Sequence, residues 1–124
     1  MKLRFLYTGI RVKNLQESLH FYTKVFGMKV TSRGTMPHGG RYVHLKSPGS
    51  PQRLELNWYP PRTRFYTKYA RGEELDHLAF RVEDVRKAFA ELVRKGVRVA
   101  VSPSNSKGTE VYVKDPNGIW IELL

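Results

Sequence analysis

Hydrophobic and polar residues follow the same series twice along the chain. Residues 77–84 (HLAFRVED) align without a gap on residues 7–14 (YTGIRVKN), and both strand-like runs end in Arg-Val before a polar residue. Asn14 and Asp84 then occupy the position at which a side-chain oxygen caps the start of a helix. We therefore predict a strand followed by a capped helix in each half of the chain.

Apolar residues recur every three or four positions after each cap, which is the period of one helix face. Gly27 and Gly96 follow these runs and predict the left-handed residue at which helices commonly end. The predicted faces consist of Leu15, Leu19, Tyr22 and Phe26 in the first half, and of Val85, Phe89, Leu92 and Val93 in the second. Each half therefore contains one amphipathic helix.

Three further strands are predicted after each helix. They span 28–36, 41–47 and 53–58 in the first half, and 97–101, 109–114 and 119–124 in the second. Residues 115–118 (DPNG) predict a tight turn before the last strand, because proline fixes φ and glycine allows a positive φ. Each half therefore reads β-α-β-β-β.

The predicted fold is α+β, with two tandem β-α-β-β-β modules that form a curved mixed sheet around a cavity. The modules span about 1–59 and 75–124, and a linker that opens with two prolines covers about 60–74. A chain of 124 residues, of which 40% are hydrophobic, is long and apolar enough for one domain with its own core. We therefore expect a single domain over residues 1–124.

Composition excludes several classes of protein. The chain has no cysteine, which excludes disulfides, thiolate metal sites and a cysteine nucleophile. No run approaches the roughly 18 apolar residues that a membrane helix needs. The first six residues lead directly into an alternating pattern and show no secretory signal. We expect a cytoplasmic protein without a membrane partner.

The charge balance is strongly basic. Twenty-two Lys and Arg against eleven Asp and Glu give a formal net charge of +11. Such a field attracts anions, for example small carboxylated or phosphorylated substrates, nucleic acid or an acidic membrane; the alternative is an ordinary solvated surface. Because no helix-turn-helix, zinc-finger or RNA-stacking motif accompanies the charge, nucleic acid is the weaker of these interpretations.

Two glutamates lie inside apolar strands at equivalent positions of the repeat. In 53–58 and 119–124 the aliphatic residues alternate to one side, which leaves Glu55 and Glu122 on the other. A buried carboxylate is costly unless it is protonated, paired or bound to a metal. An arginine salt bridge is one explanation for each glutamate, and a shared cation is the other.

Tyr7 and His77 form a second pair of equivalent residues, in the opening strand of each half. A pseudo-two-fold axis would bring them together with Glu55 and Glu122 around one centre. Two carboxylates and an imidazole suit a borderline divalent cation such as Zn²⁺, Ni²⁺, Co²⁺, Mn²⁺ or Fe²⁺. The alternative for His77 is a structural histidine with satisfied hydrogen bonds; the symmetry favours a metal site.

Three segments resemble the glyoxalase I family. Residues 7–29 (YTxIRVxNLxxSxxFYxxVFGMK) are similar to its opening, and residues 76–82 (DHLAFRV) and 115–123 (DPNGIWIEL) are similar to its second half. The resemblance covers nearly the whole chain and is strong for the vicinal oxygen chelate superfamily, whose members share paired β-α-β-β-β modules. That superfamily also contains dioxygenases, epimerases, fosfomycin-resistance transferases and metal-free bleomycin-binding proteins.

The resemblance implies one divalent metal per site, with Glu55, His77 and Glu122 as ligands. The family has a fourth ligand, His or Gln, where this chain has Tyr7. A phenol must lose its proton to become a strong ligand, so Tyr7 could bind as a phenolate, hydrogen-bond to a metal-bound water or leave a position open. A site that lacks one ligand could equally have lost its metal.

The resemblance also implies residues that bind the substrate. Arg11 and Lys107 match basic residues that hold the carboxylates of glutathione, and ordinary solvated charge is their alternative. Tyr59, or Asn57 two residues earlier, lies near a glutathione-binding asparagine of the family. The linker carries further aromatic and basic residues that either line a cavity mouth or form a surface connection or dimer contact: Arg62, Arg64, Phe65, Tyr66, Lys68, Tyr69 and Arg71.

The reaction implied is isomerisation of the hemithioacetal of a 2-oxoaldehyde and a thiol to an S-2-hydroxyacyl thioester. The metal would act as a Lewis acid, and a glutamate, preferably Glu122 and otherwise Glu55, would move the proton. Family members pair module one of one chain with module two of its partner, which implies a homodimer with sites at the interface.

Two other functions remain open on the sequence. A metal-free, ligand-sequestering protein of the bleomycin-resistance kind would bind without turnover, although it has no need of Glu55, His77 and Glu122. Another metal enzyme of the superfamily, such as an epimerase, dioxygenase or thiol transferase, would keep the metal. The dioxygenases use two histidines and one glutamate, so Glu55 argues against that variant.

Overall fold

The computed structural model describes residues 1–2, 4–73, 75–104 and 111–124. The chain divides into two compact units, Met1–Tyr69 (unit 1) and Ala70–Leu124 (unit 2). The division falls inside the linker predicted for 60–74. Each unit has a four-stranded sheet and a helical segment of its own.

Unit 1 contains a mixed sheet with strand order β1-β4-β3-β2. Its elements are β1 Thr8–Arg11, α1 Leu15–His20, a π-helical segment Phe21–Val25, β2 Lys29–Thr35, β3 Arg41–Lys46 and β4 Arg53–Trp58. β1 runs parallel to β4, and the other two pairings are antiparallel. This is the predicted β-α-β-β-β order.

Unit 2 repeats that topology with strand order β5-β8-β7-β6. Its elements are β5 His77–Phe80, α2 Val85–Arg94, β6 Arg98–Val101, β7 Tyr112–Lys114 and β8 Trp120–Leu123. β5 runs parallel to β8, and the remaining neighbours are antiparallel. The predicted α+β fold of two β-α-β-β-β modules is therefore confirmed, with one mixed sheet in each unit.

Local chemistry sets both ends of each helical region, as predicted. The side chain of Asn14 accepts a hydrogen bond from the Glu17 backbone N–H at 2.9 Å, and that of Asp84 accepts one from Lys87 at 3.0 Å. Gly27 (φ 74°) and Gly96 (φ 83°) follow the helical segments in the left-handed region. Among the helices that the structure describes, none has the length and apolarity to cross a bilayer.

The first helical region differs from the regular helix that the sequence predicts. After His20 the chain widens into a π-helical turn, in which the Phe26 N–H donates to the Phe21 carbonyl at 3.0 Å. The extra residue in this turn lets the adjacent Phe21 and Tyr22 both be buried. The predicted helix face included Tyr22 but not Phe21, so the burial of Phe21 was missed.

The core of each unit lies on the aliphatic face of its sheet. Leu54 and Leu56 in β4, and Ile121 and Leu123 in β8, are buried as predicted, while Glu55 and Glu122 point to the opposite face and are half-buried. The predicted apolar face of α2 is less regular. Val93 is 43% exposed, because it lies one position beyond the buried Leu92 and so at the edge of the stripe.

A buried carboxylate organises the predicted turn before β8. Asp115 is fully buried and accepts hydrogen bonds from the backbone N–H groups of Asn117 and Ile119, both at 2.8 Å, and from the Asn117 side chain at 2.9 Å. The Arg98 guanidinium donates to the Asp115 carbonyl at 2.9 Å and so ties the turn to β6. The turn therefore fixes the residue at which β8 begins and, through it, the position of Glu122 in the strand.

Candidate active site

Glu55 lies in a row of residues that crosses the sheet of unit 1. The register places Gly9 of β1 and His44 of β3 directly on either side of it. His44 is buried, and its Nε2 lies 2.5 Å from Glu55 Oε2. The side chain of Glu55 is 14% exposed. The paired imidazole and carboxylate therefore form a nearly enclosed polar pair on the face opposite the core.

Gly9 leaves space beside this carboxylate. A Cβ atom at Gly9 would lie 3.6 Å from Glu55 Oε1 and 3.2 Å from the side-chain nitrogen of Asn57. Gly9 therefore places no side chain against Glu55 Oε1, the oxygen that does not contact His44.

Tyr7 precedes β1 and contacts the same histidine. Its ring meets the imidazole of His44 edge-on, with 4.8 Å between ring centroids. The Arg53 guanidinium lies 5.9 Å from the centre of the Tyr7 ring. Tyr7 is 39% exposed. Its described contacts are thus with the histidine and arginine rather than with a carboxylate.

His77 and Glu122 are brought together within unit 2. His77 Nε2 lies 3.4 Å from Glu122 Oε2, and His77 Nδ1 lies 2.6 Å from the carboxylate of the preceding residue, Asp76. Glu122 pairs in register with Ala79 of β5 and Tyr112 of β7. The Tyr112 ring meets the His77 ring edge-on, with 5.7 Å between centroids.

In both units one histidine and one tyrosine lie near the glutamate, and the positions of these two residues are exchanged between the units. In unit 1, His44 lies beside Glu55 on the antiparallel strand β3, and Tyr7 lies just before the parallel strand β1. In unit 2, Tyr112 lies beside Glu122 on the antiparallel strand β7, and His77 lies on the parallel strand β5. Both glutamates therefore pair with an imidazole, so the arginine salt bridge considered from the sequence is not the pairing observed in the described residues.

The donor chemistry of these pairs fits a divalent cation. A hydrogen bond from Nδ1–H to Asp76 leaves the Nε2 lone pair of His77 directed at Glu122, which is the arrangement of a metal-binding histidine supported by a carboxylate. Bonds of about 2.0–2.1 Å place neighbouring ligand atoms about 3 Å apart, close to the separation of His77 Nε2 and Glu122 Oε2. Among the residues that the structure describes, there is no group of three or more His, Cys, Asp or Glu that could hold a metal ion.

Two of the four residues predicted to bind substrate line a cavity of unit 1. The cavity measures about 340 Å³ and lies beside the ends of β1 and β4. Arg11 and Tyr59 both line it; the Arg11 guanidinium lies 5.5 Å from the Tyr59 ring centre and donates to the Phe65 carbonyl at 3.0 Å. Asn57 is the buried register partner of Arg11. Lys107 lies outside the described residues.

The aromatic and basic linker contributes to the same cavity. Tyr66, Thr67, Lys68 and Tyr69 line it together with Lys13, whose ammonium lies 4.8 Å from the Tyr69 ring centre. Of the seven linker residues singled out from the sequence, three therefore line this cavity, and Arg62, Arg64, Phe65 and Arg71 are not among its lining residues. Cations over aromatic rings leave a positively charged surface with apolar walls.

Two residues around the glutamates were missed by the sequence analysis. His44 lies in the strand predicted for 41–47, but nothing in its local pattern links it to Glu55, because that link depends on the register between β3 and β4. Asp76 was part of the segment that resembles glyoxalase I, yet no role was assigned to it. Its position directly before His77 was the available signal.

Comparison with known proteins identifies the family. Residues 4–123 match the model of the Glyoxalase/Bleomycin resistance protein/Dioxygenase superfamily. The lactoylglutathione lyase of Neisseria meningitidis serogroup B is 35% identical over 130 residues, which cover 98% of this chain and 90% of that protein. The lactoylglutathione lyase of Escherichia coli O157:H7 is 32% identical and covers 98% and 92%, respectively.

A solved structure gives the same result. The trypanothione-dependent glyoxalase I of Leishmania major has a TM-score of 0.81 and 33% identity, over 99% of this chain and 86% of that one. Sequence and fold agree on the family. The chain therefore belongs to the Glyoxalase/Bleomycin resistance protein/Dioxygenase superfamily and is a glyoxalase I-like lyase.

Proposed function

We propose that the protein is a metal-dependent enzyme that isomerises the hemithioacetal of a 2-oxoaldehyde and a thiol to an S-2-hydroxyacyl thioester. The observation that carries the proposal is the pairing of a carboxylate with an imidazole at the equivalent strand of each unit, Glu55 with His44 and Glu122 with His77. The relatives named lactoylglutathione lyase support the same reaction class.

Glu55, His77 and Glu122 would hold one divalent cation. When bound, the cation supplies Lewis-acid stabilisation of the negative charge that develops on the substrate oxygens. Oxygen and imidazole ligands suit Ni²⁺, Zn²⁺, Co²⁺, Mn²⁺ and Fe²⁺ alike.

Glu122 would move the proton. Its carboxylate takes the proton from the carbon that bears the sulfur and returns it to the adjacent carbon, so one C–H bond breaks and another forms. The hydroxyl proton moves from the oxygen on the sulfur-bearing carbon to the former carbonyl oxygen, so the product is an isomer of the substrate. Glu122 is half-buried on the sheet face opposite the core, where a carboxylate can reach substrate while most water is excluded. Glu55 is the alternative base.

The cavity of unit 1 would bind the thiol-bearing part of the substrate. Arg11, Lys13 and Lys68 supply positive charge there, and Tyr59, Tyr66 and Tyr69 supply apolar walls. Such a surface suits a peptide-like thiol that carries carboxylates, as the name lactoylglutathione lyase implies for the relatives. The net charge of +11 would draw such an anion toward the protein.

A homodimer would complete the functional unit. In this proposal, unit 1 of one chain and unit 2 of its partner contribute to each site, as the resemblance to the family implies. Analytical ultracentrifugation of the purified protein measures the mass directly. A monomer at concentrations at which the enzyme is active would contradict the dimer without affecting the reaction assigned.

Metal analysis combined with an activity assay tests the proposed reaction. We expect about one divalent metal per chain in protein purified without chelator, and thioester formation from methylglyoxal plus glutathione, followed in the ultraviolet. Glu122→Ala should lose the metal, and Glu122→Gln should lower kcat by about 100-fold or more, the usual contribution of a general base.

Glu91→Gln is a matched control, because Glu91 pairs with Lys95 on the exposed side of α2. It should keep both the metal and the activity. A wild-type protein that takes up none of Ni²⁺, Zn²⁺, Co²⁺ or Mn²⁺ would overturn the metal-dependent reaction. Binding of the hemithioacetal without turnover would then favour a ligand-sequestering protein.

A further inference from the structure

We propose that His44 is a positioning residue that fixes Glu55 in one orientation and thereby leaves Glu122 as the glutamate that moves the proton. The inference rests on the proposed function, because it concerns how the same site works. It begins with the 2.5 Å contact between His44 Nε2 and Glu55 Oε2. Among the described residues, no other carboxylate has a buried imidazole beside it on the neighbouring strand.

The position of the proton on His44 follows from burial. Nδ1 of His44 is inaccessible to solvent and has no hydrogen-bond partner among the residues that the structure describes. A proton on Nδ1 would bury an unpaired N–H, which is costly, whereas a proton on Nε2 is shared with the carboxylate. His44 therefore donates from Nε2 to Glu55 Oε2.

Aromatic rings hold the imidazole in the orientation that this bond needs. Tyr7 meets the His44 ring at an interplanar angle of 74° with 4.8 Å between centroids, and Tyr42 meets it at 84° with 5.7 Å. Edge-to-face contacts of this kind stabilise one ring orientation. Tyr7, which replaces the expected fourth ligand, thus has a structural partner in His44.

Because Oε2 of Glu55 is hydrogen-bonded to His44, only Oε1 remains to bind a ligand. Its Oε1 lies next to Gly9, where a Cβ would be 3.6 Å away. A carboxylate that is hydrogen-bonded through one oxygen and binds through the other has lost the freedom to leave its ligand and take up a proton. Glu55 is therefore suited to be a fixed ligand.

Glu122 has the opposite relation to its histidine. His77 Nδ1 lies 2.6 Å from Asp76 Oδ1, so the neutral ring that donates to Asp76 presents a lone pair, not a proton, to Glu122. The separation of His77 Nε2 and Glu122 Oε2 is accordingly longer, at 3.4 Å. His44 donates to its glutamate and His77 does not, and this difference distinguishes two positions that the repeat makes equivalent.

Substitution of His44 separates a positioning role from a merely structural one. His44→Gln can still donate from its amide nitrogen, whereas His44→Leu cannot donate. We expect His44→Leu to weaken Co²⁺ binding by about 10- to 100-fold, as is usual when a group that orients a ligand is lost, and to alter the Co²⁺ absorption spectrum. His44→Gln should stay within about threefold of wild type and keep the wild-type spectrum.

Steady-state kinetics give a second measurement on the same variants. His44→Leu should lower kcat with little change in KM, because Arg11 and the cavity of unit 1 are untouched. His20→Leu is the control, because His20 is exposed at the end of α1 and should behave as wild type. Equal losses in His44→Gln and His44→Leu, or no loss in either, would overturn the proposal.

The tautomer of His44 is measurable without metal or substrate. In ¹⁵N NMR of the protein, we expect a proton on Nε2 of His44, and Glu55→Gln should shift that resonance. A proton on Nδ1 would overturn the positioning role even if His44→Leu fails to fold. If the wild type binds metal but does not turn over the hemithioacetal, the proposed reaction fails while the Co²⁺ and NMR results still decide the role of His44.

Discussion

Gly9 and Glu55 lie side by side on the parallel strands β1 and β4, and the glycine places no side chain against the carboxylate. A Cβ at Gly9 would lie 3.6 Å from Glu55 Oε1, in ordinary contact, and 3.2 Å from the Asn57 side-chain nitrogen, which is tight. Gly9 therefore controls access to Oε1, the oxygen that His44 leaves available.

Larger side chains at Gly9 should block the site in proportion to their size. Gly9→Ala needs only a small shift of Asn57 and should lower kcat/KM modestly. Gly9→Leu covers Oε1 and should lower kcat/KM by about 100-fold, the size of effect that a misplaced catalytic group produces. Enzyme kinetics and metal content measure this, and thermal unfolding shows whether the fold is kept. Full activity in Gly9→Leu would exclude Oε1 as a ligand.

Asp76 should support His77 without being essential. Its carboxylate lies 2.6 Å from His77 Nδ1, but its side chain is 97% exposed, so water competes for the same hydrogen bond. We expect Asp76→Ala to weaken metal binding by about tenfold at most, the lower end of the effect of such supporting groups. Competition with a chelator measures the affinity. A loss as large as that of His77→Ala would instead mean that Asp76 binds the metal directly.

Arg11 should contribute to substrate binding and little to the chemical step. Its guanidinium lines the cavity of unit 1 and is held by the Phe65 carbonyl and the Tyr59 ring. Arg11→Ala should raise KM by about tenfold with kcat nearly unchanged, because a charge-assisted contact with a carboxylate is worth about 1.5–3 kcal/mol.

Ionic strength gives an independent check of the same contact. Added salt should raise KM for the wild type, since screening weakens attraction between exposed charges, and should raise it less for Arg11→Ala. Arg86→Ala, on the exposed surface of α2, is the control and should match the wild type. A fall in kcat for Arg11→Ala with KM unchanged would place Arg11 in the chemical step.

Asp115 should matter for stability more than either helix cap. It is fully buried and accepts three hydrogen bonds within the turn, so its removal leaves buried donors unpaired. We expect Asp115→Ala to lower the free energy of unfolding by about 3 kcal/mol. Asp84→Ala, which removes the single capping bond to Lys87, should cost about 1 kcal/mol. Urea unfolding followed by circular dichroism measures both, and similar losses would contradict this ranking.

The order of elements could be predicted from the sequence because it depends on local chemistry. Alternation placed Glu55 and Glu122 on the face opposite the aliphatic core, and the caps at Asn14 and Asp84 needed only a side chain three residues from a backbone N–H. The turn at Asp115 is equally local. Because the whole series occurs twice, the sequence also predicted that Glu55 and Glu122 occupy equivalent positions.

Packing decided what the periodic pattern could not express. The π-helical turn at Phe21–Val25 changes which aromatic residues are buried, and a 3.6-residue period has no place for it. The cavity beside Arg11 and Tyr59 is lined by a linker without a regular pattern. Both features depend on contacts between residues that are far apart along the chain or outside a regular period.

The repeat, the face of each strand and the two acidic positions were determined by the sequence itself, because periodicity and capping act over a few residues. Only the tertiary structure brought His44 beside Glu55, since their separation depends on how β3 and β4 align. A shift of one residue in that register would turn His44 to the opposite face. The physical difference between two glutamates that the repeat makes equivalent therefore comes from strand pairing.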